Sequence, residues 1–296
     1  MNLEHIPTIP AKTIITKLPS SGWFGTDYNM NIYRGCSHGC IYCDSRSDCY
    51  RNVDFDTVKV KENALQIIRD ELRRKVKTGV IGSGSMSDPY NPLEETLKLT
   101  RNSLELMNAF GFGASLCTKS ALVARDADVL SDIKAHSPVI VKFSITAADD
   151  ELSKKIEPFV SPTSERFEAL ARLAEKGIFT GVWINPVLPF LTDTEENILA
   201  LVRMAKEAGA KFVLTFMSMT LRSGNREYYY EHLPDPEVRA KHIKRFGNNY
   251  VCTSPKAKKL WGVFEKECER LGLLYEMKAI TAHNLMGYGD RQMTLL

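Results

Sequence analysis

The chain has 296 residues, with 39 Lys and Arg against 36 Asp and Glu, a formal charge of +3, and 44% of it is apolar. This composition excludes a disordered or collagen-like chain, and the length suffices to bury a large core without disulfide staples. There is no apolar run of the roughly 18 residues a membrane span needs, and Met1–Ser20 does not read as a secretory signal, so a cytoplasmic protein is expected.

A β-rich run at Met30–Tyr33 leads into a cysteine-rich loop. Glu62–Lys77 reads as an amphipathic helix with Leu65, Ile68, Leu72 and Val76 on one face. Val80–Gly84 is a short strand, followed by a Gly/Ser/Asp/Pro loop and a helix over Glu94–Phe110. Strand Ala114–Thr118, helix Arg125–His136 and strand Val139–Ile145 come next. Pro162 and Thr163 start a helix that runs to Lys176 and stops at Gly177. Strand Phe179–Val187 follows, then a helix over Thr194–Ala208 with Thr192 or Asp193 as its N-cap, then strand Lys211–Phe216.

Six strands, most followed by a helix, predict a parallel sheet with right-handed crossovers. The expected fold class is α/β, a partial (β/α)6-type TIM barrel whose site gathers on the loops at the carboxyl ends of the strands. The expected division is an N-terminal arm over 1–27, a core barrel over 28–220 and a mostly helical C-terminal extension over 221–296, with one terminal strand near Leu274–Ile280. Basic residues gather late, at Arg239, Lys241, Lys244, Arg245, Lys256, Lys258 and Lys259, with Tyr250 and Trp261 among them. Such a stretch could track a phosphate backbone, although a charge run is more often the solvated face of a helix.

The strongest signal is Gly35-Cys36-Ser37-His38-Gly39-Cys40-Ile41-Tyr42-Cys43, a C-x3-C-x2-C directly after the first predicted strand. Three thiols so close together in an intracellular chain argue for metal binding over disulfides. Structural zinc takes four protein ligands; His38 could be the fourth but would have to fold back over the same metal, and Cys49, six residues beyond Cys43, is the better candidate. The alternative is a [4Fe-4S] cluster, in which Cys36, Cys40 and Cys43 hold three irons and leave the fourth open to a ligand. Gly35 and Gly39 suit a loop wrapped tightly around such a group.

The triplet, with an aromatic residue before its last cysteine, resembles the signature of the radical S-adenosylmethionine (radical SAM) enzymes. Further segments occur in the same order as in the spore photoproduct lyase-like (DNA repair photolyase-like) branch: Ser87-Asp88-Pro89-Tyr90-Asn91-Pro92-Leu93-Glu94, Thr118-Lys119-Ser120 with Arg125-Asp126, Glu157-Pro158 with Arg166, and Pro186-Val187-Leu188-Pro189. The resemblance implies an enzyme with a [4Fe-4S] cluster and S-adenosyl-L-methionine as cofactors. Reductive cleavage of the latter would give a 5′-deoxyadenosyl radical that abstracts hydrogen from a substrate. It also implies an external electron donor such as flavodoxin or ferredoxin, and no membrane. In this reading Tyr42 lies near the adenine, Lys119 pairs with the methionyl carboxylate, Ser144 contacts the ribose or amino group, and Ser87 and Asp88 bind the cofactor or substrate. The chain departs from the lyase at Gly84-Ser85-Met86-Ser87-Asp88, where Ser85 stands near the place of a hydrogen-returning cysteine. That departure argues against thymine-dimer repair and makes Tyr90, Cys117 and Cys49 the candidate catalytic residues. Three rivals stay open: nucleic-acid lesion repair or modification by the same chemistry, a non-catalytic iron–sulfur protein, and a zinc-stabilised barrel.

Overall fold

The computed structural model describes residues 6–288. The strands are β1 (Thr8–Ile9), β2 (Ile15–Lys17), β3 (Tyr28–Met30), β4 (Tyr33–Arg34), β5 (Lys59–Lys61), β6 (Val80–Ser83), β7 (Gly113–Thr118), β8 (Val139–Ser144), β9 (Phe179–Ile184), β10 (Phe212–Thr215), β11 (Ser218–Thr220) and β12 (Val251–Thr253). Six of them, β3 and β6 to β10, run parallel side by side in chain order, and β2 adds an antiparallel edge. The two ends of this sheet do not pair, so it is a partial barrel with the strand count read from the sequence. A small sheet, β1-β5-β4, lies beside the cysteine loop, and β11 and β12 form an antiparallel pair.

The helices are α1 (Ala64–Arg73), α2 (Glu94–Leu97), α3 (Leu99–Ala109), α4 (Ala127–Lys134), α5 (Asp150–Ile156), α6 (Thr163–Glu175), α7 (Glu195–Glu207), α8 (Asn225–His232), α9 (Pro236–Phe246), α10 (Ala257–Leu271) and α11 (Met277–Leu285). Of these, α1, α3, α4, α6, α7 and α10 cover the outer face of the sheet, where Leu116, Val141, Phe143, Val182 and Val213 share one core with Ile68, Leu104, Leu130, Leu170 and Leu201. The inner face follows the opposite alternation: Ser115 and Cys117 on β7, Lys142 and Ser144 on β8, Trp183 on β9. Phe24, Ile140, Phe212 and Ile280 pack together at the amino-terminal end of the strands, closing the interior from below.

Several sequence expectations need correction. The first parallel strand of the barrel sheet is β3, Tyr28–Met30, and Tyr33 belongs to the small sheet. The first long helix ends at Arg73, leaving Val76 80% exposed beyond it. The helix expected over Glu94–Phe110 is two, parted at Lys98, whose φ of 51° is left-handed. The N-cap of α7 is Thr194, whose hydroxyl accepts from the Asn197 amide; Asp193 instead accepts from the Phe190 amide and the Ser254 hydroxyl. Near the end, Leu274 makes a single bridge to Phe212, and the chain then turns into α11 instead of a strand. The late basic residues Arg239, Lys241, Lys244 and Arg245 are exposed on α9, the solvated face of a helix.

Candidate active site

The cysteine loop closes over the carboxyl ends of the strands because its backbone is pinned at both flanks. The Cys36 amide donates to Phe55 O at 2.8 Å and the Ile41 amide to Ile156 O at 3.0 Å. Gly35 (φ +80°) and Gly39 (φ +67°) fulfil the expectation of tight wrapping. A Cβ on Gly35 would meet Thr57 O at 2.5 Å, and one on Gly39 the Phe159 ring at 2.8 Å. The loop packs against Ile156, Leu221, Tyr229, Leu233 and Phe246, so α8 and α9 of the extension hold it down.

Beneath the loop is a cavity of about 480 Å³, within the usual range for small-molecule sites. Cys36, Cys40 and Cys43 all line it, together with Tyr42, Ser87, Asp88, Cys117, Lys119 and Ser144, so the structure brings together nearly every residue singled out from the sequence. Burial pushes the Cys36 thiol up to about 12 and raises those of Cys40 and Cys43. Thiols so deeply buried ionise only against a compensating cation.

Lys119, just beyond β7, donates from Nζ to the Ser144 hydroxyl at 2.7 Å, and Ser144 in turn donates to Asn185 O at 3.0 Å. Burial works against the Lys119 ammonium, but Glu157, with Cys40 and Cys117, outweighs it and holds the pKa above its ordinary value. Lys119 has no ion-paired carboxylate within 4.0 Å among the described residues, so its charge is open to an incoming one. The ammonium also lies 5.6 Å from the centre of the Tyr42 ring.

Tyr42 presents its ring to the cavity while its hydroxyl donates to Glu157 and sits 3.2 Å from the Thr146 hydroxyl. Glu157 is fully buried and paired with the equally buried Arg166 at 2.6 Å; Arg166 also donates to Ser144 O at 2.8 Å and Ser153 Oγ at 2.7 Å. This pair therefore sets Tyr42, and the Ser144 backbone beside it, from behind. Asp88 is wholly engaged within the protein. It accepts from the Thr118 hydroxyl at 2.7 Å, the Lys119 amide at 2.8 Å and the Tyr90 amide at 2.9 Å, stapling the loop after β6 to the end of β7. Ser87 donates to Tyr33 O at 3.1 Å. Glu94 and Asp126, from two of the other sequence segments, lie outside the cavity lining and are held by Arg125 and Arg101.

Of the candidate catalytic residues, Cys117 lines the cavity, whereas Tyr90 and Cys49 do not. Tyr90 is buried in a neighbouring cleft with its hydroxyl toward Asp126. Cys49 is exposed at the rim, 3.5 Å from Arg222 Nη1. Among the described residues no three His, Cys, Asp or Glu side chains converge as the ligands of one ion. With Cys49 outside the cavity, a four-cysteine zinc lacks its fourth thiolate; His38 does line the cavity, but its Nδ1 faces Asp88 Oδ2 at 3.5 Å, and the three thiols side by side in the lining suit a polynuclear cluster. Below them lies Lys142, which sequence reasoning missed because a strand reading Val-Ile-Val-Lys-Phe-Ser is taken for apolar. It donates to the Ser115 hydroxyl at 2.6 Å, and burial pulls it down to about 8, with Cys117 opposing.

Residues 30–205 match the model of the Radical SAM superfamily. An uncharacterised protein of Mycobacterium tuberculosis is 32% identical over 225 residues, 74% of this chain and 66% of that protein, so the match spans just under two-thirds of the relative. An uncharacterised protein of Methanocaldococcus jannaschii is 37% identical over 183 residues, 61% of this chain and 66% of that one. Among solved structures, spore photoproduct lyase superposes with a TM-score of 0.66 at 15% identity, covering 90% of this chain and 80% of the lyase. Another structure of that lyase holds AdoMet and a dinucleoside spore photoproduct. The fold and site thus define a partial α/β barrel with a cysteine-lined cavity at the carboxyl ends of its strands. The chain belongs to the radical SAM superfamily, with the spore photoproduct lyase fold. No helix among the described residues is long and apolar enough to cross a membrane.

Proposed function

We propose that Cys36, Cys40 and Cys43 hold a [4Fe-4S] cluster, and that the same cavity binds S-adenosylmethionine against it for hydrogen abstraction from a bound substrate. The observation that carries this reading is that the three thiols and the unpaired Lys119 ammonium line one cavity at the carboxyl ends of the parallel strands. When bound, the cluster and S-adenosylmethionine supply an electron and a 5′-deoxyadenosyl radical able to take hydrogen from an unactivated carbon.

The chain's own residues bind, orient and shield. Lys119, kept charged by its surroundings and aimed by Ser144, offers a charge-assisted hydrogen bond to the methionyl carboxylate. Tyr42, fixed by Glu157, presents its ring to the adenine. Trp183, Pro186, Phe216 and Met219 form the facing wall and keep water from the reacting carbon. Cys117 is the one candidate hydrogen-relay thiol on the cavity surface; Cys49 would have to act from the rim. A nucleic-acid substrate is the alternative favoured by rim rings Phe216 and Tyr250, 45% and 46% exposed, with Arg222 over Tyr250 at 4.6 Å, a surface on which bases stack.

The test is anaerobic reconstitution with iron and sulfide, followed by dithionite and S-adenosylmethionine. The expected result is a brown protein that forms 5′-deoxyadenosine. A brown protein that neither binds nor cleaves the cofactor would defeat the proposal.

A further inference from the structure

On the far side of the cysteine loop from the active-site cavity is a second cleft, of about 400 Å³, which shares Met86 and Ser87 with it. Gly35 lines this cleft and is bonded directly to Cys36. The cleft carries Lys12 and Arg34, both exposed, and the half-buried Lys61. Arg51 and Lys59 flank it through their own segments: Arg34 donates to Arg51 O at 2.7 Å, and Lys59 lies in β5 beside Arg34 of β4.

None of these five cations has a carboxylate within 4.0 Å among the described residues, whereas Arg46, Arg101, Arg125 and Arg166 are all ion-paired. Arg34 is held in place without being neutralised, by Asn52 Oδ1 at 2.8 Å and by the Arg51 carbonyl. The nearby acids are held away from these cations: Glu71 accepts from the Ile14 and Ile15 amides and the Thr13 hydroxyl and acts on Lys61 only at a distance, and Glu62 accepts from the Thr8 hydroxyl. A patch of unneutralised charge on one face steers and orients a partner of opposite sign.

Building on the cluster assignment made above, we propose that this cleft is the docking face for an acidic one-electron carrier protein. The substrate cavity must exclude water during the radical step, so an electron enters best from behind the loop, where the cleft shares Met86 and Ser87 with the cavity and Gly35 of its lining is bonded to Cys36. The step moves one electron and no atoms: the reduced carrier is oxidised by one electron and the cluster is reduced by the same one.

The test compares two reductants on the reconstituted full chain. With flavodoxin as the acidic carrier, Lys12→Glu/Arg34→Glu is expected to weaken carrier binding, measured by calorimetry, at least ~10-fold at low salt, to raise the KM for reduced carrier in 5′-deoxyadenosine formation in step, and added salt to narrow both gaps. With dithionite, which needs no docking face, the variant is expected to match the wild type, which also shows that it folds. Lys12→Gln/Lys61→Gln, which removes charge without reversing it, is expected to give a smaller rise of the same kind. An unchanged carrier KM with a normal dithionite rate would overturn the docking face alone. Failure of the wild type with dithionite would overturn the cluster reading and this inference with it.

Discussion

Lys119 has one polar side-chain partner, Ser144, and an unspent charge in a cavity lined by three thiols. Losing a charge-assisted hydrogen bond costs about 1.5–3 kcal/mol. Lys119→Ala is therefore expected to weaken S-adenosylmethionine binding by about 10–100-fold while iron content stays unchanged; calorimetry that finds equal affinity would remove Lys119 from the site. Arg166 behind it has another role, because its charge is fully buried against Glu157. Breaking a buried pair by removing one member leaves the other uncompensated, at about 3–5 kcal/mol. Arg166→Met is expected to lower thermal stability by several degrees even without cofactor; an unchanged melting curve would contradict the assignment.

These residues were legible to different degrees. The cysteine spacing is a covalent pattern and survives without knowledge of the fold. Lys119 and Ser144 could be found because each ends a strand. The Glu157–Arg166 pair was visible only as two segments nine residues apart, and what it supports, Tyr42 and the Ser144 carbonyl, comes from other segments. Asp88 shows what the sequence hides: it lines the cavity as an acid in that loop should, but its oxygens also accept from Thr118, Lys119 and Tyr90, partners no local pattern reveals.

At the scale of elements, the pattern placed five of the six parallel strands and most of the helices over them, because a buried outer sheet face and an apolar helix stripe both leave a strong repeat; the first, expected at Met30–Tyr33, overlaps the observed Tyr28–Met30 by one residue. Misreadings cluster at ends and short pieces. The seven-residue α5 is too brief to show a period, and the α7 cap slipped from Thr194 to its neighbours because three consecutive polar residues could each fill that place. The extension was hardest, since its contacts are remote in sequence. Helix α8 carries Tyr228, Tyr229 and Tyr230 in succession, and they part: Tyr229 packs in one core with the cysteine loop, while Tyr228 lies under the Arg46 guanidinium at 3.6 Å.

His242 of α9 is buried among Phe190, Tyr229, Tyr230 and Phe246, and its Nδ1 sits 3.0 Å from the Tyr230 hydroxyl. Burial penalises the imidazolium and lowers its pKa to about 4. Unfolded, the same ring titrates near 6.5. Between those values the unfolded chain binds the extra proton, so stability falls as pH drops through the window and is regained as it rises. His242→Gln is expected to flatten the decline between pH 6.5 and about 4 in denaturant titrations. Equal slopes for the two proteins would show that burial of this ring is not what the extension loses in acid.

Across the whole molecule, each layer serves one cavity. The outer helices bury the sheet, the inward alternation of β7 and β8 delivers Cys117, Lys119, Lys142 and Ser144, and the extension clamps the cysteine loop over them. Among the described residues the cavity lies at the carboxyl ends of the strands, and Phe24, Phe212 and Ile280 fill the other end. Electron paramagnetic resonance of the reconstituted, dithionite-reduced protein, recorded before and after S-adenosylmethionine is added, tests this most directly. We expect a [4Fe-4S] signal whose g-values shift on addition, and no such signal when Cys40 is replaced by alanine. A signal indifferent to S-adenosylmethionine, or a protein that retains one zinc and no iron, would contradict it.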